Sequence, residues 1–278
     1  MPPNNQRCLN LLILIIIFII KLMQVAVHAY LSVINLADFP KPKPYLAMLE
    51  ENDGEQEQEQ EPPPQTYLLQ SLNSSIVIRQ LTSQGISFQL WPAAAALVAL
   101  LERQTLSCLR TAEQRRLRVL ELGSGTGLVG IAAAALLGAN VTVTDLPHVL
   151  PNLQFNVDAN AGVVAARGGQ VQVAALSWGD VEQMEGVGGD FDVVLGSDLV
   201  YHDHLYEPLL QTLRVLLLGE TQKQVVFVMA HLKRWKKESA FFKKANKFFH
   251  VEIVHRDNPP HGDRLGVNVY TFVTRNKQ

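Results

Sequence analysis

The heptapeptide Glu121-Leu122-Gly123-Ser124-Gly125-Thr126-Gly127 is where residue types and spacing most directly imply chemistry. Glycines let a backbone turn sharply and approach a ligand without Cβ interference. The apolar run at 117–122 ahead of it reads as a buried strand. The small-residue run at 127–137 behind it reads as a helix whose first N–H groups are free. Asp145 closes the next strand, read at 141–144, about twenty residues on. A carboxylate there accepts hydrogen bonds from both ribose hydroxyls of a nucleoside, so the layout describes a nucleoside site at the carboxyl ends of parallel strands.

Two nucleosides fit this layout. Gly125, Gly127 and Gly130 satisfy G-x-G-x-x-G, the pattern of a dinucleotide site. Glu121 opposes that choice, because a negative charge beside the first glycine faces a pyrophosphate unfavourably and suits the cationic methionine portion of S-adenosylmethionine. A glycine turn that only packs helix on strand is the third reading, and the spaced Asp145 argues against it.

Other residues sit where a site at that sheet edge would need them. Asp198 follows a buried strand read at 191–195, in position either to act at the site or to cap the next helix. Tyr201, three residues later, either joins it or packs. Trp91 and Trp178 lie next to Pro92 and Gly179 turns, outside the strands, as pocket walls or as core aromatics. His202-Asp203-His204 is not read as a metal site, since adjacent residues at a helix start rarely converge on one ion. Lys233, Arg234, Lys236, Lys237, Lys243, Lys244 and Lys247 form a basic stretch, read as a solvated face or as a dock for an acidic protein surface. Phe241, Phe242, Phe248 and Phe249 alternate with it at helical spacing and read as core.

The elements that must position these residues alternate. A short strand at 76–78 and a turn at Gly85 precede a Pro92-initiated helix to about Arg103. After the 117–122 and 141–144 strands come helices at 150–160, 205–218 and 239–249, with strands at 171–175, 191–195 and 225–229. The order predicts a parallel α/β sheet with helices on both faces. Two closing strands, 251–255 and 267–273, lack a crossover helix, so they must form a hairpin with an antiparallel last strand. With 47% hydrophobic residues and a net charge of -2, the composition is that of an ordinary globular protein and offers no basic domain for nucleic acid. Cys8 and Cys108 make no disulfide framework.

Three segments are expected: an apolar extension at 1–47, an acidic Gln-rich linker at 48–65, and a folded domain at 66–278. The unbroken apolar run at 11–20 spans only about 15 Å as a helix, about half a bilayer core. It reads as a signal-peptide core with Val27-His28-Ala29 as the cleavage site, as a tilted anchor with Lys21 snorkelling, or as a segment outside the working protein, with translation starting at Met48.

Five motifs in order carry a resemblance: Gln89-Leu90-Trp91-Pro92-Ala93, Leu120 to Gly127, Val143-Thr144-Asp145, Leu176-Ser177-Trp178-Gly179 and Gly196-Ser197-Asp198-Leu199-Val200-Tyr201. From Ile76 onward the chain resembles the seven-strand, non-SET protein lysine methyltransferases of methyltransferase-like 21 and 16 type, which include chaperone-modifying enzymes. The resemblance implies a Rossmann-like class I methyltransferase fold, S-adenosyl-L-methionine as cofactor and a protein lysine as acceptor. It implies that Gly123, Ser124 and Gly125 line the cofactor, Asp145 holds the ribose, Trp178 packs near the adenine, and Ser197 and Trp91 border the site. Asp198 to Tyr201 matches the family's Asp-x-x-Tyr signature beside the transfer centre. A Gly/Ala-rich, insert-like stretch at 161–169 departs from the family. A monomeric cytoplasmic enzyme acting on a chaperone or another cytosolic protein is expected. Membrane association would come only through residues 11–36, and no nucleic-acid partner is expected.

Overall fold

The computed structural model describes residues 63–109, 115–219, 223–257 and 266–275. The chain divides after Gln58 into two units, and every described residue lies in the second. The apolar run at 11–20, most of the acidic stretch and the Pro259-Pro260-His261-Gly262 turn lie outside the described residues.

A small hairpin comes first, β1 (Gln65–Leu69) against β2 (Ser74–Ile78), its turn closed by Asn73 at φ 47°. Then follow α1 (Pro92–Arg103), β3 (Arg118–Leu122), α2 (Leu128–Leu137), β4 (Asn140–Asp145), α3 (Leu150–Ala159), α4 (Ala161–Ala165) and β5 (Gln170–Ala175). The chain continues through α5 (Val181–Val187), β6 (Val193–Ser197), α6 (Tyr206–Leu218), β7 (Val226–Leu232), α7 (Ser239–Ala245), β8 (Phe249–Arg256) and β9 (Val267–Thr274).

Seven strands form one sheet in the order β5-β4-β3-β6-β7-β9-β8. β3 to β7 run parallel, while β9 lies antiparallel between β7 and β8. The sheet therefore has the expected architecture, including the antiparallel ending that a missing crossover helix demands. Side chains alternate between two cores, as the period of two along a strand requires. Val119, Val193 and Leu195 face α1, α2 and α3, whereas Leu120, Leu122 and Val194 face α6 and α7. Helix α2 is apolar all round because it is buried all round; its run Ala132 to Ala135 is inaccessible and lets α1 approach closely.

Several elements differ from the sequence reading. Within the Gly/Ala-rich stretch, residues 161–165 form α4, which buries Val164, and Gly169 beyond it lies so near α2 that a Cβ would stand 2.3 Å from the Ala134 carbonyl. Helix α5 was not anticipated, although Asp180 caps it by accepting the Gln183 N–H at 3.0 Å. Helix α7 ends at Ala245 rather than 249, because Phe249 is drawn into the sheet as the first residue of β8. Phe241 and Phe249 are fully buried, with Phe242 and Phe248 packed against them, so the phenylalanines are core residues.

Candidate functional site

β3 is central, with β4 on one side and β6 on the other, so the carboxyl ends of these three strands open a crevice where the chain changes direction across the sheet. The glycine loop fills the floor of that crevice. It is stitched to β4: Ser124 N–H donates to the Thr144 carbonyl (2.9 Å), Thr144 N–H to Ser124 Oγ (3.0 Å), and Thr144 Oγ1 to the Glu121 carbonyl (2.6 Å). Gly125 N–H then donates to Asp145 Oδ2 at 2.7 Å, and Asp145 Oδ1 accepts the Leu146 N–H at 2.7 Å. Gly125 is at φ +55°, and a Cβ there would lie 3.0 Å from the Ser87 carbonyl oxygen, so the site admits only glycine without strain. Burial pushes the Asp145 carboxyl above its ordinary value, against the opposing effect of those two backbone donors.

A cavity of about 490 Å³ stands over the loop, within the roughly 300–1,000 Å³ span of small-molecule sites. Trp91, Gly123, Ser124, Gly125, Asp145, Trp178, Ser197, Asp198 and Tyr201 all line it. The half-buried Trp178 ring backs the loop so closely that a Cβ on Gly123 would meet it at 3.1 Å. Trp91 caps α1 from the N-terminal side, its indole N–H donating to the Ile86 carbonyl at 2.9 Å.

Glu121 is placed elsewhere. Its side chain is 1% exposed beneath the loop, is absent from the cavity wall, and accepts the Gly130 N–H at 2.9 Å. Burial, with a smaller push from Asp145, raises its carboxyl from 4.5 to about 8 against hydrogen bonds from Ser124 and Gly130. Direct contact with a cationic methionine portion is therefore corrected: Glu121 is a largely protonated strut at neutral pH. Gly130, the third glycine of the dinucleotide-like pattern, serves this strut, because a Cβ there would stand 2.3 Å from Val143 and 2.6 Å from Glu121 Oε2. The pattern thus records close packing of helix on strand.

Asp198 sits one residue past β6 at φ +54°, a left-handed conformation that costs a non-glycine residue about 1–2 kcal/mol. Its carboxylate is gripped by Arg234 through Nη1–Oδ1 (3.2 Å) and Nη2–Oδ2 (3.0 Å), and by the Leu232 N–H (2.9 Å). His231 Nδ1 lies 3.5 Å away, and its Nε2 meets Glu238 Oε2 at 3.2 Å. Burial alone would raise the Asp198 carboxyl; His231, Arg234 and the Leu232 N–H outweigh it and hold the group below the usual carboxylate range. Tyr201 is shifted upward, first by burial and then by the charge of Asp145.

Sequence reasoning left this grip unseen. Arg234 belongs by sequence to the basic stretch read as a solvated face or an acidic-surface dock, yet its side chain turns inward and is 21% exposed. His231 and Glu238 are both inaccessible. Three asparagines were also overlooked, although their spacing of four places them on one face of α3 and its end. Asn156 accepts the Arg79 N–H (2.8 Å) and donates to the carbonyls of Arg79 (3.1 Å) and Thr126 (2.9 Å). Asn160 pairs with both backbone groups of Val77, and Asn152 with the Arg79 guanidinium. Together they tie β2 and the segment after it to the glycine loop.

A family model described as lysine methyltransferase matches residues 70–248. The chain is 38% identical over 174 residues to the Protein N-lysine methyltransferase METTL21A of Danio rerio, covering 63% of this chain and 73% of that protein. It is 36% identical over 208 residues to METTL21A of Mus musculus, covering 74% and 86%. With EEF1A lysine methyltransferase 3 of Mus musculus it shares 35% identity over 187 residues, 67% of this chain and 72% of that protein.

Proposed function

The chain belongs to the lysine methyltransferase family of S-adenosylmethionine-dependent enzymes, and from that premise we propose that it methylates a lysine side chain of a cytoplasmic protein, acting as a monomer. The observation that carries the assignment of residues is the single cavity onto which the glycine loop, Asp145, Asp198 and Tyr201 all open.

The residues present fit the cofactor. A buried carboxylate at the end of β4 keeps acceptor capacity on both oxygens beyond its two backbone donors, and the loop beside it is shaped by glycine. Asp145 would hold the ribose, the backbone of Gly123 to Gly125 would cradle the methionine side, and Trp178 would flank the adenine. When bound, S-adenosyl-L-methionine supplies a sulfonium methyl already activated for in-line attack.

The protein's task is then alignment and deprotonation of the acceptor. A lysine of ordinary pKa near 10.4 costs about 4 kcal/mol to present as a free amine near neutral pH. Apolar walls from Leu176, Trp178 and Leu199 disfavour the ammonium. A lone carboxylate would oppose this by attracting the cation. Asp198 is not alone: the Arg234 guanidinium offsets its charge and fixes its oxygens, so it accepts a hydrogen bond from the amine without strongly retaining an ammonium. Tyr201 borders the same space and helps orient the amine.

Purified full-length protein is incubated with methyl-labelled S-adenosylmethionine and soluble cell extract, alongside Asp198→Ala, and labelled bands are hydrolysed. Methyl-lysine in a discrete band, absent with the variant, is the expected result. Cofactor binding with no labelled protein would move the acceptor to a small molecule or make the chain a silent binding module.

A further inference from the structure

Resting on the protein-lysine reading, the geometry points to the segment 233–237 as an acceptor-docking surface for an acidic stretch of protein around the target lysine. The segment leaves β7 directly at the cavity, where Arg234 and Trp235 form part of the wall. It is fastened from below at both ends. The Leu232 N–H and the Arg234 guanidinium hold Asp198, and the Arg234 N–H donates to buried Glu238 Oε2 at 3.0 Å. What remains is presented outward on a rigid support.

The outward groups are of two kinds. Trp235 is 51% exposed and Trp91, across Arg234, is 37% exposed, an apolar rim of the kind that marks a contact surface. Lys233, Lys236 and Lys237 are exposed around it. None of the three has an ion-pair partner among the described residues, whereas neighbouring Lys244 is matched by Glu207 and Arg234 by Asp198. The chain as a whole is slightly acidic, so this local excess of positive charge is left for a partner to complement.

The same charges select the substrate. A lysine on a neutral or basic surface approaches this rim as one more cation and is repelled. A lysine set among glutamates or aspartates is drawn in by its neighbours, whose negative charges the rim lysines balance. Attraction of the flanks thus comes from the rim lysines, and deprotonation of the target from the apolar cavity walls.

The test uses the full chain, its charge-reversed form carrying Lys233→Glu, Lys236→Glu and Lys237→Glu, and a charge-neutral form with glutamine at the same positions. Binding of two lysine peptides, identical except for glutamate or glutamine flanks, is measured with S-adenosylhomocysteine bound. Exposed pairs are individually weak, and three together give about a tenfold preference for the glutamate peptide that fades with added salt. The neutral form should bind the two alike and the reversed form should prefer glutamine, all three holding S-adenosylhomocysteine equally. Equal binding by the native protein, no binding of either peptide, or a preference untouched by the substitutions overturns the proposal. Tighter lysine-dependent binding of a single-stranded oligonucleotide would reassign the surface to nucleic acid. If extract proteins still acquire methyl-lysine while the peptides fail, the methyltransferase reading stands and only the docking surface falls.

Discussion

Replacing Glu121 with glutamine separates a strut beneath the glycine loop from a residue that touches the cofactor. The folded protein keeps a proton on Glu121 that the unfolded chain has lost between pH 4.5 and about 8. Stability contributed at this site is therefore intact below the unfolded value and declines as pH rises through that window, by about 5 kcal/mol over its whole width. A glutamine carbonyl still accepts the Gly130 N–H, but the side chain no longer titrates. Between pH 5 and 7.5 the variant should gain about 3 kcal/mol on the native protein, which for a domain of this size is a widening of about 6–12 °C in Tm difference. Thermal melts of both proteins across that range measure the gap, and comparing the two cancels every group they share. S-adenosylhomocysteine affinity, measured alongside by calorimetry, should be unchanged. A gap that stays constant or narrows with rising pH would refute the burial argument, and lost affinity in a well-folded variant would restore Glu121 to the cofactor site.

Other substitutions probe the rest of the site. Gly125→Ala forces a side chain into a left-handed turn against the Ser87 carbonyl and should cost about 1–2 kcal/mol with at least a tenfold loss of cofactor affinity; unchanged affinity would remove this loop from the binding site. Asp198→Ala should reduce methyl transfer by about 100-fold or more while cofactor affinity stays within about threefold. It also strips Arg234 of its partner, at about 3 kcal/mol in denaturant melts. Asn156→Ala takes this partner from the Arg79 N–H and the Thr126 carbonyl, leaves the Arg79 carbonyl only the 3.4 Å bond from Asn152, and should destabilise by about 2–3 kcal/mol. Its cofactor affinity should fall too, since Thr126 belongs to the loop; a drop in stability alone would confine the three asparagines to scaffolding.

What the sequence determined by itself is what is encoded within a few neighbouring residues. The strand–glycine–helix turn, the closing Asp145 and the alternation of apolar runs all follow from local spacing, which sets backbone conformation directly. The absence of a crossover helix near the end likewise forced an antiparallel strand, now seen as β9. Local patterning falls short where rules compete: residues 161–165 form a helix, α4, that no periodicity marks, and Phe249 leaves a helical pattern for the sheet. Only the tertiary structure decided which charges meet. Asp198 and Arg234 lie far apart in sequence and come together because β6 and β7 are adjacent strands whose ends lie side by side. Glu121 reads as a site carboxylate until the strand direction turns it under the loop, where desolvation neutralises it. Burial and long-range pairing depend on strand order across the whole sheet, and no window of neighbouring residues contains that order.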